Sequence, residues 1–134
     1  VKYIKDIKYQ ITENTIFHIR LRPKERIISE WGIIYKSGKV WIRKDFTNDG
    51  GTFARDNKRA MSGFLLHDFL FYLMRNGFLP QSYIEEAGNE MERQHKKDGV
   101  WKFRRKYLNY FAARFGAKYA SPEYRRKIYN IGGK

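Results

Sequence analysis

Cysteine is absent from all 134 residues. That excludes a disulfide framework and any thiolate metal site, and it fits a reducing compartment. No apolar run approaches the roughly 18 residues that a bilayer-crossing helix needs, so no membrane span is expected. The opening residues Val1-Lys2-Tyr3-Ile4-Lys5-Asp6 lack the apolar core of a secretory signal. Proline occurs only three times, at positions 23, 80 and 122, and each reads as a break or a start between elements. Acidic side chains are scarce: 14 Asp and Glu face 28 Lys and Arg, a formal net charge of +14.

What the chain does contain is apolar and aromatic bulk. Hydrophobic residues make up 42% and aromatic residues 17%, enough to offset the entropy of ordering and to build one domain with a real core. The positive charge is concentrated. From Lys96 to Lys134 there are twelve Lys or Arg but only two acids, Asp98 and Glu123, so that stretch alone holds +10. Such a surface attracts polyanions: nucleic acid, anionic lipid headgroups or acidic protein. The residues expected to meet them are Lys102, Arg104, Arg105, Lys106, Arg114, Lys118, Arg125, Arg126 and Lys127. Tyr107, Tyr110 and Tyr124 are interleaved among them. No helix-turn-helix, zinc-finger or RNA-recognition pattern accompanies the charge, so phosphate contact rather than base reading is expected. The plain alternative is a solvated face that only keeps the protein soluble.

The first half reads as strands. Tyr3 to Ile11 alternates in part and Thr15 to Leu21 alternates well, with Ile, Thr and Phe enriched. Ile27–Tyr35 and Lys39–Arg43 flank Lys36-Ser37-Gly38, a hairpin signal because glycine supplies positive φ. Trp31, Ile33 and Tyr35 share one strand face, and Val40 and Ile42 share one face of the next. Beyond residue 61 the pattern becomes helical. Ser62 opens a nearly all-apolar helix through Asn76, ended by Gly77. Ser82-Tyr83-Ile84-Glu85 reads as a capping box for a second helix to about Lys97, ended by Gly99. Its apolar stripe is narrow: Ile84, Ala87 and Met91, with His95 either closing the stripe or lying on the helix surface, and Gly88 suggesting a close backbone approach. A third helix is expected over Trp101–Phe115, and Ser121-Pro122-Glu123 starts a short basic tail. The expectation is a single α+β domain over 1–134: strands to about 46, a loop over 47–61, and helices over 62–128. A small N-terminal antiparallel sheet would be packed by three helices and a short basic C-terminal helix.

The loop Phe46-Thr47-Asn48-Asp49-Gly50-Gly51-Thr52 precedes a helical Leu66-His67-Asp68-Phe69-Leu70-Phe71. An imidazole and a carboxylate among large apolar neighbours are costly to bury without partners. In one reading they fix the fold. Asp49 then bonds within its turn or caps the helix, His67 donates to Asp49 or a carbonyl, and Asp68 pairs with Arg55, Arg59 or Arg104. In another, two or three carboxylates together with the histidine hold a divalent ion for structure. His18 in a strand and His95, taken as lying on a helix surface, are too isolated to count as ligands.

In their order, three segments resemble a family of phage- and prophage-borne domains without an established activity. That family carries a G-F-x-T-D-x-A-S-x-P loop, then L-H-D-x-L-Y, then A-D-x-x-F, then R-x-x-L-M-Y-x-A-V-R-x-F-G. The matching stretches here are 45–54, Leu66–Phe71 and Arg105–Gly116, within about residues 31–120. Thr52 replaces the loop serine, Ala54 the proline and Phe71 the tyrosine. Ala87-Gly88-Asn89-Glu90-Met91 lacks the second-helix aspartate. The resemblance implies a phage-encoded, non-enzymatic virion or accessory component in the virion or host cytoplasm. Its partners would be other virion proteins or nucleic acid, it would need no cofactor, and homo-oligomerisation stays open.

The His-Asp helix also resembles that of the small phospholipases A2. This implies an alternative: a metal-assisted hydrolase acting on ester bonds of a host envelope. His67 would be the catalytic base, while Asp68 and Asp49 would hold a divalent cation such as calcium. Only Glu86 or Glu90 could then orient the imidazole.

Overall fold

The computed structural model describes residues 2–4, 8–48 and 61–100. The chain divides into two compact units, Val1–Asn48 and Asp49–Lys134.

The first unit is all β among its described residues and contains two antiparallel sheets. The smaller has three strands in the order β1 (Lys2–Ile4), β2 (Lys8–Gln10), β7 (Thr47–Asn48). The segment expected as one strand from Tyr3 to Ile11 is therefore two, with Tyr3 opposite Tyr9. Its imperfect alternation is what a strand interrupted by a chain reversal produces.

The larger sheet comprises β3 (Thr15–His18), β4 (Ile27–Ser29), β5 (Gly32–Ile34) and β6 (Lys39–Ile42), in the order β3-β6-β5-β4. The expected strand from Ile27 to Tyr35 is divided by a two-residue turn at Glu30-Trp31, which sets Ser29 opposite Gly32. The Ser29 hydroxyl donates to the Gly32 carbonyl at 2.8 Å and closes that turn. The hairpin over Lys36-Ser37-Gly38 forms as expected: the amide of Tyr35 donates to the Lys39 carbonyl and that of Gly38 to the Tyr35 carbonyl, each at 2.9 Å. Gly38 has φ +91° there, and a Cβ at this site would overlap the Arg22 guanidinium and the Ile19 carbonyl oxygen. Arg22 fills the space by donating to that carbonyl at 2.6 Å.

Register separates the two faces of this sheet. Phe17, Val40 and Ile34 stand opposite one another across three strands and are buried. Ile42 is fully buried on the same face. The face that carries Ile33 and Tyr35 is the more exposed one. Past β6 the chain turns at Asp45, φ +77°, a conformation that Asp tolerates better than most residues. The amide of Asp45 then donates to the Ile11 carbonyl, and the amide of Ile11 to the Phe46 carbonyl, which carries the chain from the large sheet into the small one.

The described part of the second unit is a pair of helices, α1 (Met61–Arg75) and α2 (Ile84–Lys97). Both end the same way. Gly77 donates to the Met74 carbonyl and Phe78 to that of Leu73; Gly99 donates to Lys96 and Val100 to His95. Each glycine sits at φ near +80°. These paired bonds satisfy carbonyls that a helix end leaves open. The start of α2 differs from the capping box read at Ser82. A 3-10 turn over Gln81–Tyr83 precedes the helix, Tyr83 holds the cap position, and no side chain caps it. Pro80 fixes that entry, its carbonyl accepting from the Tyr83 amide at 3.0 Å.

The α+β composition is thus as expected, with an antiparallel four-stranded sheet and two α-helices among the described residues. The expected third helix, the basic tail and the loop over Asp49–Gly51 lie outside the described residues.

Candidate functional site

Helix α1 buries nearly its whole circumference: Phe64, Leu65, Leu66, Phe69, Leu70, Phe71, Leu73 and Met74 are all under a tenth exposed. Burying one such side chain stabilises by about 1.5–3 kcal/mol, so this helix is the apolar centre of its unit. His67 belongs to that set at 5% exposure. Its ring lies 4.2 Å from that of Phe71, tilted 35°, an arrangement one helical turn along the same face. Asp68, the next residue, is half-buried and projects about 100° away. The two groups therefore serve different surroundings.

The position of α2 against α1 is set at Gly63 and His95. A Cβ on Gly63 would overlap the His95 imidazole, and the Phe64 ring meets that imidazole edge-on at 5.0 Å. The start of α1 thus lies beside the end of α2, so the helices run antiparallel. His95 is fully buried, which corrects its expected place on a helix surface. It completes the stripe with Ala87 and Met91, which are also fully buried. His67 stands one turn beyond Gly63, and Met91 one turn before His95. Helical periodicity therefore sets them at the same level of the pair.

Glu90 is buried at 3% exposure and is neutralised by Arg93, whose guanidinium pairs with Glu90 at 2.8 Å and with Glu86 at 2.5 Å. The hydrogen bond that Arg93 donates to Glu90 leads the causes that hold the Arg93 charge more firmly than usual. Both carboxylates named as substitutes for the missing second-helix aspartate are therefore engaged by one arginine. Sequence reading overlooked Arg93, although its spacing of three and seven residues from the two acids places all three on one helical face. Tyr83 stands beside this cluster, and burial, reinforced by Glu90 and Glu86, pushes its hydroxyl pKa upward.

Among the described residues, no group of three or more His, Asp or Glu side chains could hold a metal ion, and no helix is long and apolar enough to cross a membrane. Asp49, Arg55, Arg59 and the basic residues from Lys102 to Lys127 lie outside the described residues, as do the partners suggested for Asp68 among them. His18 is an exposed strand residue opposite Lys39. No family model, curated protein or solved structure matches the chain.

Proposed function

We propose that this chain is a phage-encoded, non-enzymatic virion or accessory component that contacts nucleic acid through a basic surface. The observation that carries the non-enzymatic reading is the burial of His67. A general base must reach the proton it abstracts, whereas this imidazole is packed against Phe71 on a helix buried almost all round. The anion contact rests on charge: twelve Lys or Arg with two acids after residue 95 produce a field that concentrates phosphate. The phage setting rests on the order of the three motifs between residues 31 and 120.

Heparin and DNA titration of the full chain tests the contact. Affinity is expected to fall steeply with salt and to weaken when Arg104, Arg105 and Lys106 are together changed to Ala. Binding to an acidic protein but to neither polyanion would redirect the partner, and no binding at low salt would remove the reading. Turnover of a phospholipid or generic ester, lost in His67→Ala, would overturn the non-enzymatic part. Mass spectrometry of purified virions tests the setting.

A further inference from the structure

We infer that the exposed face of the four-stranded sheet is a stacking platform for single-stranded nucleic acid. This rests on the nucleic-acid reading above but places a second contact surface far from the basic C-terminal stretch in sequence.

The register brings four apolar residues into one row that crosses every strand. Ile16 lies opposite Trp41, Trp41 opposite Ile33, and Ile33 opposite Ile28. At adjacent-strand spacing the row is about 15 Å long. Its ends are open to solvent, Ile16 at 51% and Ile28 at 57% exposure, with Trp41 and Ile33 half-buried between them. A sheet with one buried face ordinarily turns polar residues to water; here the central outward position of each strand is branched or aromatic instead. A contiguous apolar strip of this kind marks a contact surface.

Cations flank the strip along the strand direction. Two residues from Trp41 towards one end of β6, the Lys39 ammonium lies 5.5 Å from the centre of the Tyr35 ring. Two residues the other way, the Arg43 guanidinium lies 5.0 Å from the Trp31 ring. Residues 8–48 hold nine Lys or Arg and four acids, so the unit that bears the strip is itself positive.

Charge selects the occupant. A second copy of a chain with net charge +14 would bring like charges together around the strip. An anionic lipid surface would satisfy Lys39 and Arg43 but offers no ring to Trp41. A single strand supplies both halves: phosphates for the flanking cations, and base faces for the indole and the aliphatic strip. A duplex keeps its bases stacked inside and cannot use the strip.

The test titrates the full chain with a thymidine oligonucleotide and with a duplex of equal length. Fluorescence anisotropy and intrinsic tryptophan fluorescence are followed at low and moderate salt. The single strand is expected to bind more tightly than the duplex and to quench tryptophan emission. Trp41→Ala is expected to weaken single-strand binding about tenfold, with Trp41→Phe keeping most of it. Lys39→Glu, which leaves the strip intact, is expected to weaken the same binding several-fold. Circular dichroism confirms that each variant is folded. If duplex and single strand bind alike, and both respond only to the Arg104, Arg105 and Lys106 changes, the sheet-face assignment fails while the basic-surface reading stands. If neither binds at low salt, the parent reading fails as well. Equal quenching by phosphatidylserine vesicles without single-strand preference overturns the choice of ligand. A dimer that is abolished by Ile16→Lys does the same.

Discussion

Gly63 at the start of α1 and His95 at the end of α2 approach so closely that the glycine has no room for a Cβ. The pair explains why a fully buried histidine ends an otherwise polar helix: the flat imidazole lies over bare backbone and against the edge of Phe64. Gly63→Ala should therefore destabilise. Overpacking costs about 1–3 kcal/mol, against roughly 1 kcal/mol gained in helix propensity. A net loss near 1 kcal/mol in urea denaturation is expected. His95→Ala should be destabilising alone yet less so in the Gly63→Ala background, a coupling that a double-mutant cycle measures.

Arg93 forms an ion pair with the buried carboxylate of Glu90. Arg93→Met leaves Glu90 without its guanidinium and should cost about 3 kcal/mol. Adding Glu90→Gln should recover part of that loss. Equal losses in the single and double variants would mean that the ion pair is not what stabilises α2.

Tyr83 makes stability depend on alkaline pH. Its folded pKa is raised from the ordinary 10.0, so the unfolded chain releases this proton first. The contribution is fully present below pH 10 and is lost as pH rises beyond it. Tyr83→Phe should match the wild type at neutral pH and lose less stability between pH 10 and 11. Parallel melting curves of the two proteins across that interval check the sign.

Gly38 is held at φ +91° with the Arg22 guanidinium and the Ile19 carbonyl where a side chain would project. Gly38→Ala should cost about 2 kcal/mol or more through backbone strain and the displaced Arg22 bond. Arg22→Ala frees only one of the two obstacles. The double variant should stay destabilised, as thermal melting would show.

His67→Ala opens space beside Phe71 and should lower stability by about 2 kcal/mol. Polyanion affinity at a temperature where the variant is folded should be unchanged, as heparin titration would show.

Much of this architecture was legible because its signals are local. The glycines at 38, 77 and 99 announced a turn and two helix ends, since positive φ is a property of the residue itself. The apolar run from Phe64 to Met74 announced a buried helix. Local signals also misled where a longer context prevailed. Ser82 and Glu85 have capping-box spacing, but Pro80 turned the entry into a 3-10 turn. Ile27 to Tyr35 has strand composition throughout, yet Ser29 closes on Gly32 and divides it.

Composition and periodicity by themselves determined the balance of strand and helix, the excess of positive charge, and the helical setting of His67. Only tertiary structure decided that His95 is core, that Arg93 holds two acids, and that four residues from four strands line up as one apolar row. Those facts depend on which backbones lie side by side. Pairing between segments distant along the chain is set by packing and register, which no single stretch of sequence encodes.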